Sequence, residues 1–426
     1  MIVLKYSLVC SSCGRNFSDH YLQVCNHDAG LVRTVYKNQK LRVKPVKGIW
    51  KFEEWLPTHQ SLSPNGEIKI FRSEGLSREL GLRNLFIAFN GYFPERKASL
   101  KTGTFKELEA PPTIARAFDK NINSLCIASA GNTARSFAYL SALTNFNLVI
   151  IVPSGAEEHI WIPTNRDSTN VRLIALGENT DYFDAISFAN KFATLSKITN
   201  EGGAHNVARR DGMGIVLLET AVHLGRLPDH YIQAVGSGTG GIAAYESSLR
   251  LIQDGRFGSK LPKLQLIQNL PFTPMVDAWK QNSRQLFLDQ IDEKDILKNI
   301  SEISAKVLSN RHPPYSVLGG VFDCLKATNG DMHGVTNQEA FSAGKLFEDT
   351  EGIDIVPAAA VGVAGLIKLT EEEKVGLDEI VLLNVTGGGL KRIHEDFPIQ
   401  HINPEIIGKE PEETYSEFQE ISVVST

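Results

Sequence analysis

From residue 84 onward, short apolar runs alternate with helical patterns, and this rhythm limits the folds open to the chain. Strands are expected at 84–89, 124–128, 148–152, 171–175, 231–235, 264–268 and 379–385. Helices are expected between them, at 133–143, 182–195, 214–224, 242–251 and 357–369. Near-continuous apolar strands need cover on both faces, and helices that alternate with them supply it, so the expectation is α/β with parallel sheets. The 426 residues allow two such sheets. Ligands of such folds sit in the crevice at the carboxyl ends of the strands, so the strand-end loops are the places to look for chemistry.

Composition narrows the function classes. A hydrophobic share of 42% and a charged share of 22% are those of a soluble globular protein. The net charge of −5 argues against a general nucleic-acid binder, so any anion must be held by a local site. The longest apolar stretches, 147–152 and 356–367, fall short of a membrane span. The first nine residues read as a strand and not as a signal peptide. Five cysteines, an odd number in a large chain, point to a reducing cytoplasm and away from a disulfide framework.

Residues 1–40 read as a unit of their own. Cys10-Ser-Ser-Cys13-Gly14 has the spacing of a zinc knuckle, two thiolates around a tight turn. The second half offers Cys25-Asn26-His27-Asp28, with Asp28 where a last cysteine is expected and His27 awkwardly close to Cys25. Three good ligands and Asp28 could hold zinc; a ribbon without its metal is the equal alternative, and metal content stays open. Residues 41–83 bring Trp50, Phe52 and Trp55, then turn signals at Pro57 and Pro64-Asn65-Gly66, with no chemistry visible. The expected division is a ribbon-like segment 1–40, a smaller α/β domain 84–212, and a larger α/β domain built from 41–83 and 213–398. Residues 399–426 read as an acidic tail, solvated or loosely docked.

Four stretches carry candidate chemistry. In Ser99-Leu100-Lys101-Thr102-Gly103-Thr104-Phe105-Lys106-Glu107, a polar turn delivers Lys106 to a helix start, where anions and not cations are favoured. Ser129-Ala130-Gly131-Asn132-Thr133 ends a strand and opens a helix, and its amides and hydroxyls can cradle a carboxylate or serve as an ordinary cap. Gly236-Ser237-Gly238-Thr239-Gly240-Gly241 follows the strand 231–235 and suits a phosphate. It also fits a dinucleotide fingerprint, but the next strand ends at Gln268-Asn269, without the acid a ribose needs. Thr386-Gly387-Gly388-Gly389-Leu390 closes the last strand, and can meet a flat heterocycle or act as a flexible crossover.

Together these motifs resemble threonine synthase and, more broadly, the fold-type-II enzymes of pyridoxal phosphate, whose fold is the tryptophan synthase β-like pair of parallel-sheet domains. The likeness runs from about Glu74 to Lys391 and includes the stretch Pro357–Leu366. The N-terminal half-ribbon, Gly48-Ile49-Trp50-Lys51-Phe52 to Trp55-Leu56-Pro57, and the stretch Leu100–Glu107 are closer still to the cysteate synthases, threonine-synthase relatives of methanogenic archaea. By this resemblance Lys106 holds pyridoxal 5'-phosphate and acts as the catalytic base, Asn132 contacts the ring hydroxyl, and Gly236, Ser237, Gly238, Thr239, Gly240 and Gly241 bind the phosphate. Thr386 is placed toward the ring nitrogen; Ser129, Ala130 and Thr133 take the substrate carboxylate; Arg209, with Arg210 as fallback, takes the substrate phosphate. Lys101 departs from the threonine synthase pattern and is expected to attract the leaving phosphate or an incoming sulfite.

The reaction so implied is β-replacement, O-phospho-L-serine and sulfite giving L-cysteate and phosphate for coenzyme M biosynthesis. The alternatives are threonine synthesis from O-phosphohomoserine, or a non-catalytic binding protein on the same fold. A cytoplasmic homo-oligomer acting on small molecules, with no nucleic-acid or membrane partner, completes the expectation.

Overall fold

The computed structural model describes residues 5–63 and 66–424; Met1–Leu4 and the expected turn residues Pro64-Asn65 lie outside the described residues. Two parallel-stranded sheets form the body. The larger has six strands in the order Asp331–Val335, Lys263–Asn269, His230–Ala234, Val381–Val385, Leu85–Phe89 and Lys69–Arg72. All neighbours are parallel except the last pair. The smaller has five parallel strands, Thr199–Asn200, Ser124–Ala128, Asn147–Val152, Val171–Leu176 and Ile406–Gly408. Every residue of His230–Ala234 and of Val381–Val385 is buried, which is why these strands read as mostly apolar runs, broken only by His230, Gln233 and Asn384.

The expected domain boundaries need two corrections. Leu85–Phe89 pairs with Val381–Val385 and Lys69–Arg72, so it belongs to the larger sheet and the smaller domain does not begin at residue 84. The acidic tail is not loose. Gln400–His401 pairs with Trp161–Ile162, and Ile406–Gly408 adds a strand beside Val171–Leu176. The helix Pro411–Val424 then sets Tyr415 and Phe418 edge-on against Phe192 of the helix Tyr182–Ser196. A few apolar residues among many glutamates are enough to dock it, because each lands on an apolar face.

The N-terminal unit is a three-stranded antiparallel sheet, Asn16–Phe17, Tyr6–Cys10 and Val32–Tyr36. It is anchored by buried polar links. Asp19 takes the Arg116 guanidinium, and Thr34 and Tyr36 both donate to Asp211. Trp50, Phe52 and Trp55 are buried in the core beneath it.

Candidate active site

The strand-end loops converge on one cleft between the two sheets. Lys106 lies in the short helical turn Phe105–Leu108, whose cap is the Thr104 hydroxyl. The turn is stitched to the larger sheet: Phe105 N–H donates to the Thr386 carbonyl at 3.0 Å, and Gly388 N–H donates to the Gly103 carbonyl at 3.1 Å. This explains two of the three late glycines. A Cβ on Gly387 would lie 2.6 Å from the Gly103 carbonyl oxygen, and one on Gly388 would collide with the Asp354 carbonyl. The glycines therefore serve backbone packing, and of that motif Thr386 lines the cleft.

Lys106, Ser129, Ala130, Asn132, Thr133, Arg209 and Thr386 all line the same cleft, as do Gly236, Ser237, Gly238, Thr239 and Gly240. Gly241 sits one position deeper in the first helical turn, packed against Leu266. The phosphate-type loop opens the helix Thr239–Asp254 with Gly238 as its cap, at φ 77° and without a side-chain cap hydrogen bond. Such an end leaves amides and partial positive charge to a ligand. Gly236 is required by approach: its Cβ would stand 2.9 Å from the Leu308 Cα. Beneath the loop, the Asn384 amide joins the Tyr231 hydroxyl at 2.7 Å and the Gln233 carbonyl at 3.0 Å, a buried polar floor. Gln268 caps the helix Pro274–Lys280 through Met275 and Val276, so no ribose-binding group stands there.

At Ser129 the local chemistry differs. Its hydroxyl accepts from the Gly131 and Ala134 amides at 3.1 and 3.0 Å, capping the helix Asn132–Thr144 from within. The Asn132 carbonyl oxygen accepts from Arg135 at 3.0 Å.

Two acids escaped the sequence reading. Glu109, fully buried, stands 3.5 Å from Lys106 Nζ through Oε2, an oxygen with no hydrogen-bond partner. Its other oxygen accepts from the Thr133 hydroxyl at 3.0 Å and faces Arg209 at 3.2 Å. Glu201 grips the other side of Arg209 with both oxygens. Glu109 is three residues from Lys106, a helical spacing that could have flagged it; nothing near Glu201 in the sequence marks it. Burial lowers the Lys106 pKa, against the pull of Glu109. Burial also works against the Arg209 charge, but Glu109 and Glu201 hold its pKa above the ordinary range.

The arginine pair separates cleanly. Arg209 reaches the cleft, whereas Arg210 is fully buried against Glu246 and the carbonyls of Ala204 and Val32. Lys101 is a correction. Glu107 takes both the amide and the hydroxyl of Thr102, and this pins the turn with the Lys101 ammonium over the Phe397 ring, 4.7 Å from its centre. Lys101 does not line the cleft, so its position does not support a role at the substrate.

Known proteins match this architecture. Residues 63–387 match the pyridoxal-phosphate dependent enzyme family. The cysteate synthase of Methanosarcina acetivorans is 48% identical over 415 residues, covering 97% of this chain and 99% of that protein. That of Methanocella arvoryzae is 51% identical over 403 residues, covering 94% and 95%. In fold, the chain is similar to a pyridoxal 5'-phosphate-dependent aspartate racemase, with TM-score 0.57 and 15% identity over 78% of this chain and 92% of the racemase. Diaminopropionate ammonia lyase from Escherichia coli gives TM-score 0.57 and 14% identity, over 80% and 88%. The cleft fits the cofactor these proteins share: a glycine loop whose helix end is only partly capped suits its phosphate, and a desolvated amine with an orphaned carboxylate oxygen beside it suits its aldehyde. No helix among the described residues is long and apolar enough to cross a membrane. On its family match, its relatives and its fold, this chain belongs to the pyridoxal-phosphate dependent enzymes, within the cysteate synthase family.

Proposed function

We propose that the protein makes L-cysteate from O-phospho-L-serine and sulfite, releasing phosphate, and so serves coenzyme M biosynthesis. The observation that carries the reaction class is the Lys106 amine, desolvated in the cleft that the two anion-type loops share. The substrate pair rests on the name that the relatives at 46–51% identity carry.

Bound pyridoxal phosphate supplies an electron sink that acidifies the Cα proton of an amino acid attached to it. Gly236–Gly240 and the helix start at Thr239 would hold its phosphate, Asn132 would meet its ring hydroxyl, and Lys106 would anchor it. Thr386, also in the cleft, would offer the ring nitrogen a neutral hydroxyl, which would temper the sink and suit elimination over a long-lived carbanion. The loop Ser129–Thr133 orients the substrate carboxylate. Lys106, freed from its anchoring role, takes the Cα proton, because a buried amine of lowered pKa is a competent base. Arg209 guides the phosphate that leaves Cβ, its charge balanced beforehand by Glu109 and Glu201. Sulfite sulfur then bonds to Cβ, and Lys106 returns the proton to Cα. We further infer a cytoplasmic homo-oligomer, in keeping with the odd count of five cysteines for the compartment.

The test is to assay phosphate release from O-phospho-L-serine and from O-phosphohomoserine, each with and without sulfite. Cysteate formed in step with phosphate, and only with sulfite, is the expected result. Threonine formed from O-phosphohomoserine, with no cysteate, would overturn the substrate assignment.

A further inference from the structure

The N-terminal ribbon holds a cluster that the reaction does not use. One ligand atom each from Cys10, Cys13, Cys25 and Asp28 lies within 4.8 Å of the others. The four come from two turns that repeat one pattern. In the first, Cys10 N–H donates to the Arg15 carbonyl at 2.9 Å, and Gly14 N–H donates back to the Cys10 carbonyl at 3.1 Å. In the second, Cys25 N–H donates to the Gly30 carbonyl at 2.9 Å, and Ala29 N–H donates back to Cys25 at 2.9 Å. Both end on a left-handed residue, Gly14 at φ 73° and Ala29 at φ 57°. Asp28 thus stands in the second turn where Cys13 stands in the first. His27 is exposed and its side chain is outside the cluster.

The spacings match a tetrahedral ion. Sulfur at about 2.3 Å and carboxylate oxygen at about 2.0 Å from zinc set S···S edges near roughly 3.8 Å and S···O edges near roughly 3.5 Å. The Cys13 and Cys25 sulfurs are 3.7 Å apart, and the Cys10 sulfur is 3.3 and 3.6 Å from the two Asp28 oxygens. Backbone amides of Ser12 and Cys13 point at the Cys10 sulfur, and that of His27 at the Cys25 sulfur, each at 3.4 Å. Amides so placed offset the charge of thiolates around a metal. Gly30 N–H donates to Asp28 Oδ1 at 3.0 Å, which orients the carboxylate and leaves Oδ2 for an ion. A side chain on Gly30 would crowd both Asp28 Oδ1 and the Cys10 sulfur, at 3.1 and 3.2 Å.

We propose that Cys10, Cys13, Cys25 and Asp28 bind a structural zinc ion, a three-cysteine, one-aspartate site. Four protein ligands close the coordination sphere, so the ion holds structure and has no open position for catalysis. What it steadies is a wall of the enzyme. Leu31 N–H donates to the Leu318 carbonyl at 2.9 Å, and Ser11 packs on Gly319. Two residues on, Val321 occupies the space beside the cofactor-loop residue Gly238.

The holoenzyme, purified without added metal or chelator, is assayed for metal content, and its zinc is then exchanged for cobalt. The expected results are about one zinc per chain and the intense visible absorption of tetrahedral, thiolate-bound cobalt. Cys13→Ser should lose the metal. Asp28→Ala should weaken zinc retention against a chelator at least about tenfold, and Asp28→Cys should keep or tighten it. A metal-free wild type whose Cys10, Cys13 and Cys25 thiols titrate freely would overturn the proposal, as would a Cys13–Cys25 disulfide or iron in place of zinc. Unchanged zinc retention in Asp28→Ala would remove Asp28 from the site. The cobalt spectrum needs no variant, so the proposal stays testable if a substituted chain fails to fold.

Discussion

The loops 129–133 and 236–241 occupy equivalent places, each at the carboxyl end of a parallel strand and each opening a helix, yet they treat their amides differently. At 129–133 the Ser129 hydroxyl satisfies the Gly131 and Ala134 amides, so the helix end is already partly capped. At 236–241 the Ser237 hydroxyl takes only one amide, that of Thr239 at 3.3 Å, and the glycines that follow it leave the rest of the helix end to a ligand. The first loop is the more self-sufficient, which suits the proposed role of orienting a substrate that comes and goes; the second leaves more for a ligand to complete, which suits the proposed cofactor phosphate. Between them, the cations Lys106 and Arg209 are matched by the carboxylates Glu109 and Glu201. Side-chain charge in the cleft is therefore largely cancelled, and anion binding leans on backbone amides.

The comparison breaks if Lys106 is not what both loops serve. Lys106→Ala should lower turnover by at least about 1,000-fold and abolish the borohydride-trappable bond to the cofactor, read by mass spectrometry. Gly238→Ala sharpens it: a Cβ at φ 77°, beside Val321, should cost about 1–3 kcal/mol and appear as weaker cofactor binding in a fluorescence titration. A third measurement leaves both loops intact and titrates Glu107, the acid next to Lys106 in the same turn. Burial raises the Glu107 pKa from 4.5 to about 6, so the folded state holds that proton more tightly than the unfolded chain. Stability from this group is then full below pH 4.5 and falls by about 2 kcal/mol as pH rises through 6, a slope that denaturant melts should find missing in Glu107→Gln. The smallest effect belongs to the self-capped loop. Ser129→Ala should cost about 1 kcal/mol of stability and raise the KM for the amino acid, with cofactor affinity unchanged. Equal loss of cofactor in Gly238→Ala and Ser129→Ala would erase the distinction between the loops.

Much of the frame was legible in the chain. Seven expected strands are present within a residue or two, because burial on both faces forces an apolar run that can be read directly. Among the strands missed, three in the two main sheets draw their burial from their partners: Lys69–Arg72 at a sheet edge, Asp331–Val335 with its polar residues, and Ile406–Gly408 within an acidic stretch. In the site, the lysine turn and the glycine loop are local motifs, and such signals survive in one dimension.

By itself, then, the sequence determined the α/β rhythm, the lysine and the phosphate-type loop, since each depends on backbone geometry set by neighbours along the chain. Only the tertiary structure decided which arginine reaches the cleft and that Lys101 turns to Phe397. It alone decided that Glu109 and Glu201 balance the charge there and that Asp28 completes the cysteine cluster. Those outcomes depend on groups brought together from distant segments, and charge and coordination are settled by distance in space and not by position along the chain.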